Sequence, residues 1–246
     1  MMTPTREAKV RQAVKATQAD LTVILENIFD PLNISAVLRS CDAVGIREVF
    51  VLYTKAYLDK RGLVLGKRSS AGAFKWTDVY VFEDLDECFR RVRERYGRIL
   101  TTHLGEQTES VYKIDLTQPT ALLFGNEDEG VSAEALSKAD GNFYIPQVGF
   151  AESLNISVAC AVTLFEARRQ RDLIGRYDDN PVLDTGQQEQ LFARWSNMLR
   201  DKSINHQQAI PVGKDAAPLL PVYTERAPDA APRKQIRPNP LTKFEL

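Results

Sequence analysis

The sequence has no Gly-x-Gly anywhere. That absence removes the glycine-rich turn by which dinucleotide-binding and ordinary Rossmann domains bring backbone against a ligand. Gly62 to Lys67 imitates a phosphate loop only loosely. Its two glycines stand one residue too close, and Arg68 replaces the expected Ser or Thr. The only histidines, His103 and His206, show no metal-ligand spacing. No Gly-x-Ser-x-Gly occurs, which excludes the nucleophile turn of the α/β-hydrolases. Cys41, Cys88 and Cys160 are odd in number, far apart and form no Cys-x-x-Cys pair, so neither a zinc ribbon nor a disulfide framework is expected. No apolar run reaches the ~18 residues that a membrane helix needs. The opening MMTPTREAKV lacks the apolar core of a signal peptide. A cytoplasmic protein with reduced thiols and no membrane partner is the expectation. Net charge is also missing: 32 Lys and Arg face 33 Asp and Glu. Any nucleic-acid surface must therefore come from local clustering of basic residues.

What is present is enough for one sizeable domain, since 43% of 246 residues are hydrophobic. Residues 5–17 read as a polar, basic helix and 22–26 as a strand. Asn33 can cap a helix carrying Ile34, Val37, Leu38, Cys41 and Val44, with Gly45 at its C-terminal stop. On that reading Arg39 falls in the second turn. Strands follow at 48–53, 78–82, 98–103 and 120–124, with an amphipathic helix after Asp84 and a short helix over 132–139. Residues 142–145 suggest one more strand, and Leu154 to Arg168 a strongly apolar helix in which Cys160 is a core thiol. Most strands lack period-two alternation and they alternate with helices. Such a pattern predicts an α/β fold, a mainly parallel sheet with helices on both faces. The divisions are a basic helix over 1–20, the main domain over 21–176 and a helical segment over 177–200. In the last, Leu191, Phe192, Trp195 and Leu199 form an apolar stripe. Residues 201–246 hold seven of the twelve prolines and predict an extended or disordered tail.

Three polar clusters sit where a parallel α/β sheet places its ligand, outside the carboxyl ends of the strands. The first runs from Asn33 to Arg39. Spacing alone allows a cap and a surface arginine, or an arginine that reaches a phosphate or polarises a hydroxyl. The second is Gly125-Asn-Glu127-Asp-Glu-Gly130-Val-Ser132, directly after an apolar strand. Its glycines let backbone approach a ligand. Glu127 alone reads equally well as a solvated loop acid, and Ser132 as a cap. The third runs from Ile145 through Pro146 and Gly149 to Ser153 and Asn155. Two polar side chains at the start of a buried helix suit either capping or a polar ligand.

In order, the clusters read N-x-x-x-x-x-R, F-G-N-E-x-x-G-V-S and I-P-x-x-G-x-x-x-S-L-N-x-S-V-A. Together they resemble the SpoU branch of the SPOUT RNA 2′-O-ribose methyltransferases, over about residues 5–172. TPTREAKV, LTVILENI, DAVGIREV and ILTTHL are most similar to the subgroup acting on guanosine 18 of the tRNA D-loop. The resemblance implies a C-terminal trefoil knot and a homodimer with its active site near the interface. It implies S-adenosylmethionine bound without a metal, through Thr102, Phe124, Gly125, Gly130, Ile145 and Leu154. Asn33, Arg39, Glu127, Ser153 and Asn155 match the family's functional positions, with Arg39 as the activator of the hydroxyl. tRNA is the implied partner. Its surface is expected from Arg6, Lys9, Arg11 and Lys15, from Lys60, Arg61, Lys67 and Arg68, and from Arg168 with Arg169, Arg171 and Arg176. Such runs otherwise read as solvated faces. The rival expectations are a ribosomal RNA 2′-O-methyltransferase and a non-catalytic RNA-binding member of the family.

Overall fold

The computed structural model describes residues 2–55, 73, 76–105 and 108–200. The chain runs α1 (Pro4–Lys15), β1 (Leu21–Glu26), α2 (Pro31–Ala43), β2 (Glu48–Leu52), β3 (Asp78–Phe82), α3 (Leu85–Arg93) and β4 (Arg98–Thr102). It continues with β5 (Glu109–Ser110), β6 (Thr120–Phe124), α4 (Ala133–Lys138), β7 (Gly141–Tyr144), α5 (Ile156–Leu173) and α6 (Thr185–Arg200). The seven strands form one sheet in the order β3-β2-β1-β6-β4-β7-β5, and every named pair is parallel. The expected mainly parallel α/β sheet is therefore observed. The two-residue strand β5 was too short to leave a sequence pattern.

Successive residues of a strand point to opposite faces, so each inner strand feeds two cores. Leu21, Val23 and Leu25 of β1 face α2 and α5, together with Val49, Val51, Leu122 and Phe124. Ile24 faces α3, with Phe50, Leu52, Ala121 and Leu123. This two-sided burial is why β1, β2 and β6 read as unbroken apolar runs. Cys41 and Cys160 lie in the first core and Cys88 in the second, all free thiols. Burial pushes the Cys41 and Cys160 thiols above their usual range, which leaves them unreactive. A third cluster joins Val10 and Val14 of α1 to Trp195 and Met198 of α6, with Leu191, Phe192 and Leu199 packed against it. The apolar stripe of α6 thus finds its cover within the chain. Among the described residues no helix is long and apolar enough to cross a membrane.

Two expectations are corrected. Helix α2 begins at Pro31, not near Asn33. Proline suits the first helical position, and the Asp30 side chain caps it by accepting the Leu32 N–H at 2.8 Å. Arg39 moves accordingly into the third turn. Helix α5 ends at Leu173, not Arg168, and Arg171 is wholly buried rather than solvated. Its Nε donates to the Leu116 carbonyl at 2.9 Å and its Nη2 to the Gln118 carbonyl at 3.1 Å. Its Nη1 donates to Gln18 Oε1 at 3.1 Å and pairs with the Asp20 carboxylate. Breaking a buried pair from one side leaves the other charge uncompensated. Arg171→Met should lower unfolding free energy by about 3 kcal/mol or more, read from the midpoint of urea denaturation. A shift under about 0.5 kcal/mol would place the clamp among ordinary surface contacts.

Candidate active site

Strands β2 and β3 lie on one side of β1, and β6, β4, β7 and β5 lie on the other. The carboxyl ends of β4, β6 and β7 open into a crevice of about 620 Å³. Loop residues of the second and third clusters form its walls. All six residues expected at the cofactor, Thr102, Phe124, Gly125, Gly130, Ile145 and Leu154, line it. Phe124 and Phe143 meet edge to face, with centroids 6.2 Å apart, among its apolar lining. Glu127, Asp128, Glu129 and Glu152 give the crevice an acidic lining.

The loop after β6 is a tight one. Asn126 and Gly130 exchange backbone hydrogen bonds of 2.9 and 3.0 Å. A Cβ on Gly125 would stand 2.2 Å from the Gly130 carbonyl carbon and oxygen, so only glycine fits there. Gly130 has φ +70°, a left-handed turn that glycine adopts without strain. Ser132 ends the loop as the cap of α4, accepting the Ala135 N–H at 3.1 Å.

Glu127 is exposed, but its carboxylate is not free. One carboxylate oxygen accepts the Phe29 N–H at 2.9 Å, and the other accepts Asn33 Nδ2 at 2.7 Å. Asn33 Oδ1 in turn accepts Asn155 Nδ2 at 3.1 Å. Asn155 Oδ1 caps α5 by accepting the Ser157 N–H at 2.9 Å. One residue from each motif therefore joins a continuous polar chain, Glu127–Asn33–Asn155. Freed from capping α2, Asn33 can serve it. Burial, and then the Glu127 carboxylate, push the nearby Tyr53 phenol above its usual value and keep it neutral.

Two expected catalytic residues stand apart from this chain. Ser153 lines the crevice, but its hydroxyl makes no hydrogen bond to the described residues. Arg39 does not line the crevice. It is exposed and makes no hydrogen bond or ion pair among the described residues. Six residues past Asn33, it sits about 120° around the helix, on the side of Leu32, which is seven residues before it. Of the basic residues expected on RNA, Arg6 is exposed on α1. Arg11 pairs with Glu7 and Glu189 and stacks on Phe192 at 3.9 Å. Arg168 lies over the Tyr177 ring at 4.2 Å. Lys60, Arg61, Lys67 and Arg68 lie outside the described residues, as does the tail over 201–246. Sequence reasoning missed Asn27 and Asn126, which organise both loops. For Asn27 the available signal was an asparagine directly after a strand, where a left-handed turn is tolerated. Among the described residues no group of three or more His, Cys, Asp or Glu side chains is placed to hold a metal ion.

Against known proteins, the model of the SpoU rRNA Methylase family matches residues 20–165. The tRNA (guanosine(18)-2′-O)-methyltransferase of Thermus thermophilus is 42% identical over 193 residues, which are 78% of this chain and 96% of that protein. The 23S rRNA (guanosine-2′-O-)-methyltransferase RlmB of Xanthomonas campestris is 36% identical over 166 residues, 67% of this chain and 65% of that one. The crystal structure of the Aquifex aeolicus TrmH/SpoU tRNA modifying enzyme superposes with a TM-score of 0.70 at 30% identity, covering 80% of this chain and 98% of that chain. The SpoU methyltransferase AviRb from Streptomyces viridochromogenes, in complex with the cofactor AdoMet, gives 0.55 at 30% identity, over 65% of this chain and 64% of that chain. Fold and crevice thus define an RNA methyltransferase of the α/β class. The chain belongs to the SpoU methylase family.

The contrast between Asn155 and Ser153 is measurable. Asn155→Ala removes a helix cap and the bond to Asn33, and should cost about 1 kcal/mol of stability in chemical denaturation. Ser153→Ala should change it by less than about 0.5 kcal/mol, as for a surface site without partners. Equal losses in the two variants would contradict the hydrogen-bond assignment.

Proposed function

We propose that this chain methylates the ribose 2′-hydroxyl of guanosine 18 in tRNA, with S-adenosylmethionine as donor. The observation that carries this reading is length. The guanosine-18 tRNA enzymes of Thermus thermophilus, Aquifex aeolicus and Escherichia coli are matched over 96%, 88% and 82% of their length, whereas the RlmB enzyme is matched over 65% of its own. The crevice also suits the donor. Its size falls within the range of small-molecule sites, about 300–1,000 Å³. Its apolar walls suit an adenine ring, and its carboxylates suit a sulfonium cation. Thr102, Phe124, Gly125, Gly130, Ile145 and Leu154 would hold it. Bound there, the donor supplies an electrophilic methyl group with a thioether leaving group, and the reading involves no metal.

A ribose hydroxyl is a weak nucleophile, so placing it in line accounts for much of the acceleration. Asn33 is held between Glu127 and Asn155, which fixes the direction of its carboxamide at the crevice. The unengaged Ser153 hydroxyl can bond to a ribose or phosphate oxygen. A guanidinium offers donors and no acceptor, so Arg39 suits binding and orienting better than taking a proton. Its role is to bind the target phosphate and stabilise charge developing on the 2′-oxygen.

Because Arg39 lies off its own crevice, this reading includes a homodimer. Leu32 beside it is 64% exposed, and Val158 and Phe165 of the adjoining α5 are 47% and 54% exposed. Pairing two copies through α2 and α5 covers these side chains and sets Arg39 near a crevice. The reading also includes the trefoil knot. The chain leaves β7 on the far side of β4, returns to pack α5 on α2, and grips residues 114–118 with Gln170 and Arg171. Arg6, Arg11, Arg168, Lys60, Arg61, Lys67 and Arg68 contribute the tRNA surface. Arg11 and Arg168 would exchange their present contacts for phosphate. The protein works in the cytoplasm, where its substrate lies.

Labelled methyl transfer to a tRNA transcript, followed by mapping of ribose methylation, tests the reading. A single modified site at guanosine 18, lost when that ribose is 2′-deoxy, is the expected result. Methylation elsewhere in the tRNA, or of 23S rRNA instead, would overturn it. Arg39→Ala should lower single-turnover rate by about a hundredfold or more while sparing S-adenosylhomocysteine affinity. Gly125→Ala should weaken that affinity about tenfold or more in calorimetry, because its Cβ forces the loop open. Sedimentation at micromolar concentration should give a dimer.

A further inference from the structure

Two segments leave neighbouring strands at the crevice, residues 27–33 after β1, which run into the start of α2, and residues 125–130 after β6. Four hydrogen bonds clasp them together. Three run to Glu127, from the Phe29 and Asp30 N–H groups at 2.9 and 3.5 Å and from Asn33 Nδ2 at 2.7 Å. The fourth runs from Asn126 Nδ2 to the Asn27 carbonyl at 2.7 Å. Asn27 is the only non-glycine residue with positive φ among the described residues, at 52°, and it is 2% exposed. Its side chain is engaged at both ends. Oδ1 accepts the Thr54 and Lys55 N–H groups at 2.9 and 3.3 Å, and Nδ2 donates to Thr54 Oγ1 at 2.9 Å. Its own N–H donates to the Leu52 carbonyl at 2.7 Å. A left-handed residue fixed this way offers its carbonyl in one direction only.

Asn126 Nδ2 donates to that carbonyl, and the same side chain shapes its own loop. Its Oδ1 accepts the Asp128 and Glu129 N–H groups at 2.9 and 3.1 Å. Glu127 therefore hangs between two anchored neighbours. A Lys55–Glu129 ion pair ties the same loop to the segment after β2.

We propose that the Asn126–Asn27 contact is a positioning device for methyl transfer. It fixes the direction of Glu127, and through Glu127 that of Asn33 and Asn155. The loop that lines the crevice and the start of α2 then keep one relative placement. This inference rests on the crevice being the methyl-transfer site. A purely architectural contact would lower stability or cofactor affinity without acting through Glu127.

The test uses full-length Asn126→Ser, Glu127→Ala and the double variant. Serine keeps an acceptor for the Asp128 N–H but cannot reach the Asn27 carbonyl. In cofactor-free protein, amide hydrogen exchange at Phe29 should accelerate about tenfold or more in Asn126→Ser, because its acceptor has swung away. Single-turnover transfer to tRNA should fall about tenfold or more, while S-adenosylhomocysteine affinity changes less than about threefold. In the Glu127→Ala background the same Asn126→Ser change should cost less than about threefold, the non-additivity of residues that act through one another. Should Asn126→Ser unfold, Asn126→Asp keeps the loop acceptor, removes the donor, and should give the same pattern. Unchanged Phe29 exchange, rate losses that multiply in the double variant, or losses that follow affinity would each overturn the inference alone. A wild-type protein that transfers no methyl group to tRNA would overturn the functional reading, and this inference with it.

Discussion

The buried Arg171 guanidinium is the fixed point on which the rest of the domain depends. It sits at the end of α5 away from the crevice and binds the residues leading into β1 and into β6 at once. Around it, Gln170 exchanges hydrogen bonds with Leu116 and Ile114, and Tyr177 donates to the Val44 carbonyl at the end of α2. Gly45 fits beside it because a Cβ there would meet the Ala16 carbonyl oxygen at 2.3 Å. Removing a charge of this kind from water is costly, and the arrangement compensates with a full set of acceptors.

Helix α5 is consequently fastened at both ends. Eighteen residues of α-helix span about 27 Å, enough to reach from the amino edge of the sheet to its carboxyl edge. At the far end stands Asn155, bonded to Asn33. The clamp at Arg171 thus sets the height at which the polar chain meets the crevice. The core between α5, α2 and β1 carries this constraint, because close-packed side chains transmit a displacement instead of absorbing it. The active-site geometry is then a property of the domain rather than of its loops.

Much of this is legible in the sequence. Apolar runs locate β1, β2 and β6, since burial on both faces removes alternation. Asp84, Ser132 and Asn155 announce helix starts, and each caps its helix as a local hydrogen bond requires. The motif order brings Asn33, Glu127 and Asn155 forward as candidates. Asn33 illustrates the limit. As a cap it is plausible on composition, but Asp30 and Pro31 take that role and release it for the crevice. The covering of the α6 stripe by α1 is likewise invisible locally, because nothing in a helix's own pattern names its partner.

The sequence by itself determined every strand but β5, the presence though not all the ends of the helices, the parallel α/β class and the resemblance to a family. These follow from propensity, periodicity and residue order, all of which act over a few neighbouring positions. Only the tertiary structure decided which polar residues meet. Asn33 and Glu127 are 94 residues apart, Asn33 and Asn155 are 122 apart, and Arg171 and Asp20 are 151 apart. It also decided that Arg39 stands off its own crevice and that Arg171, one arginine among four near a helix end, is the buried one. A side chain's burial and partners are fixed by how distant segments pack, and no local pattern encodes that packing.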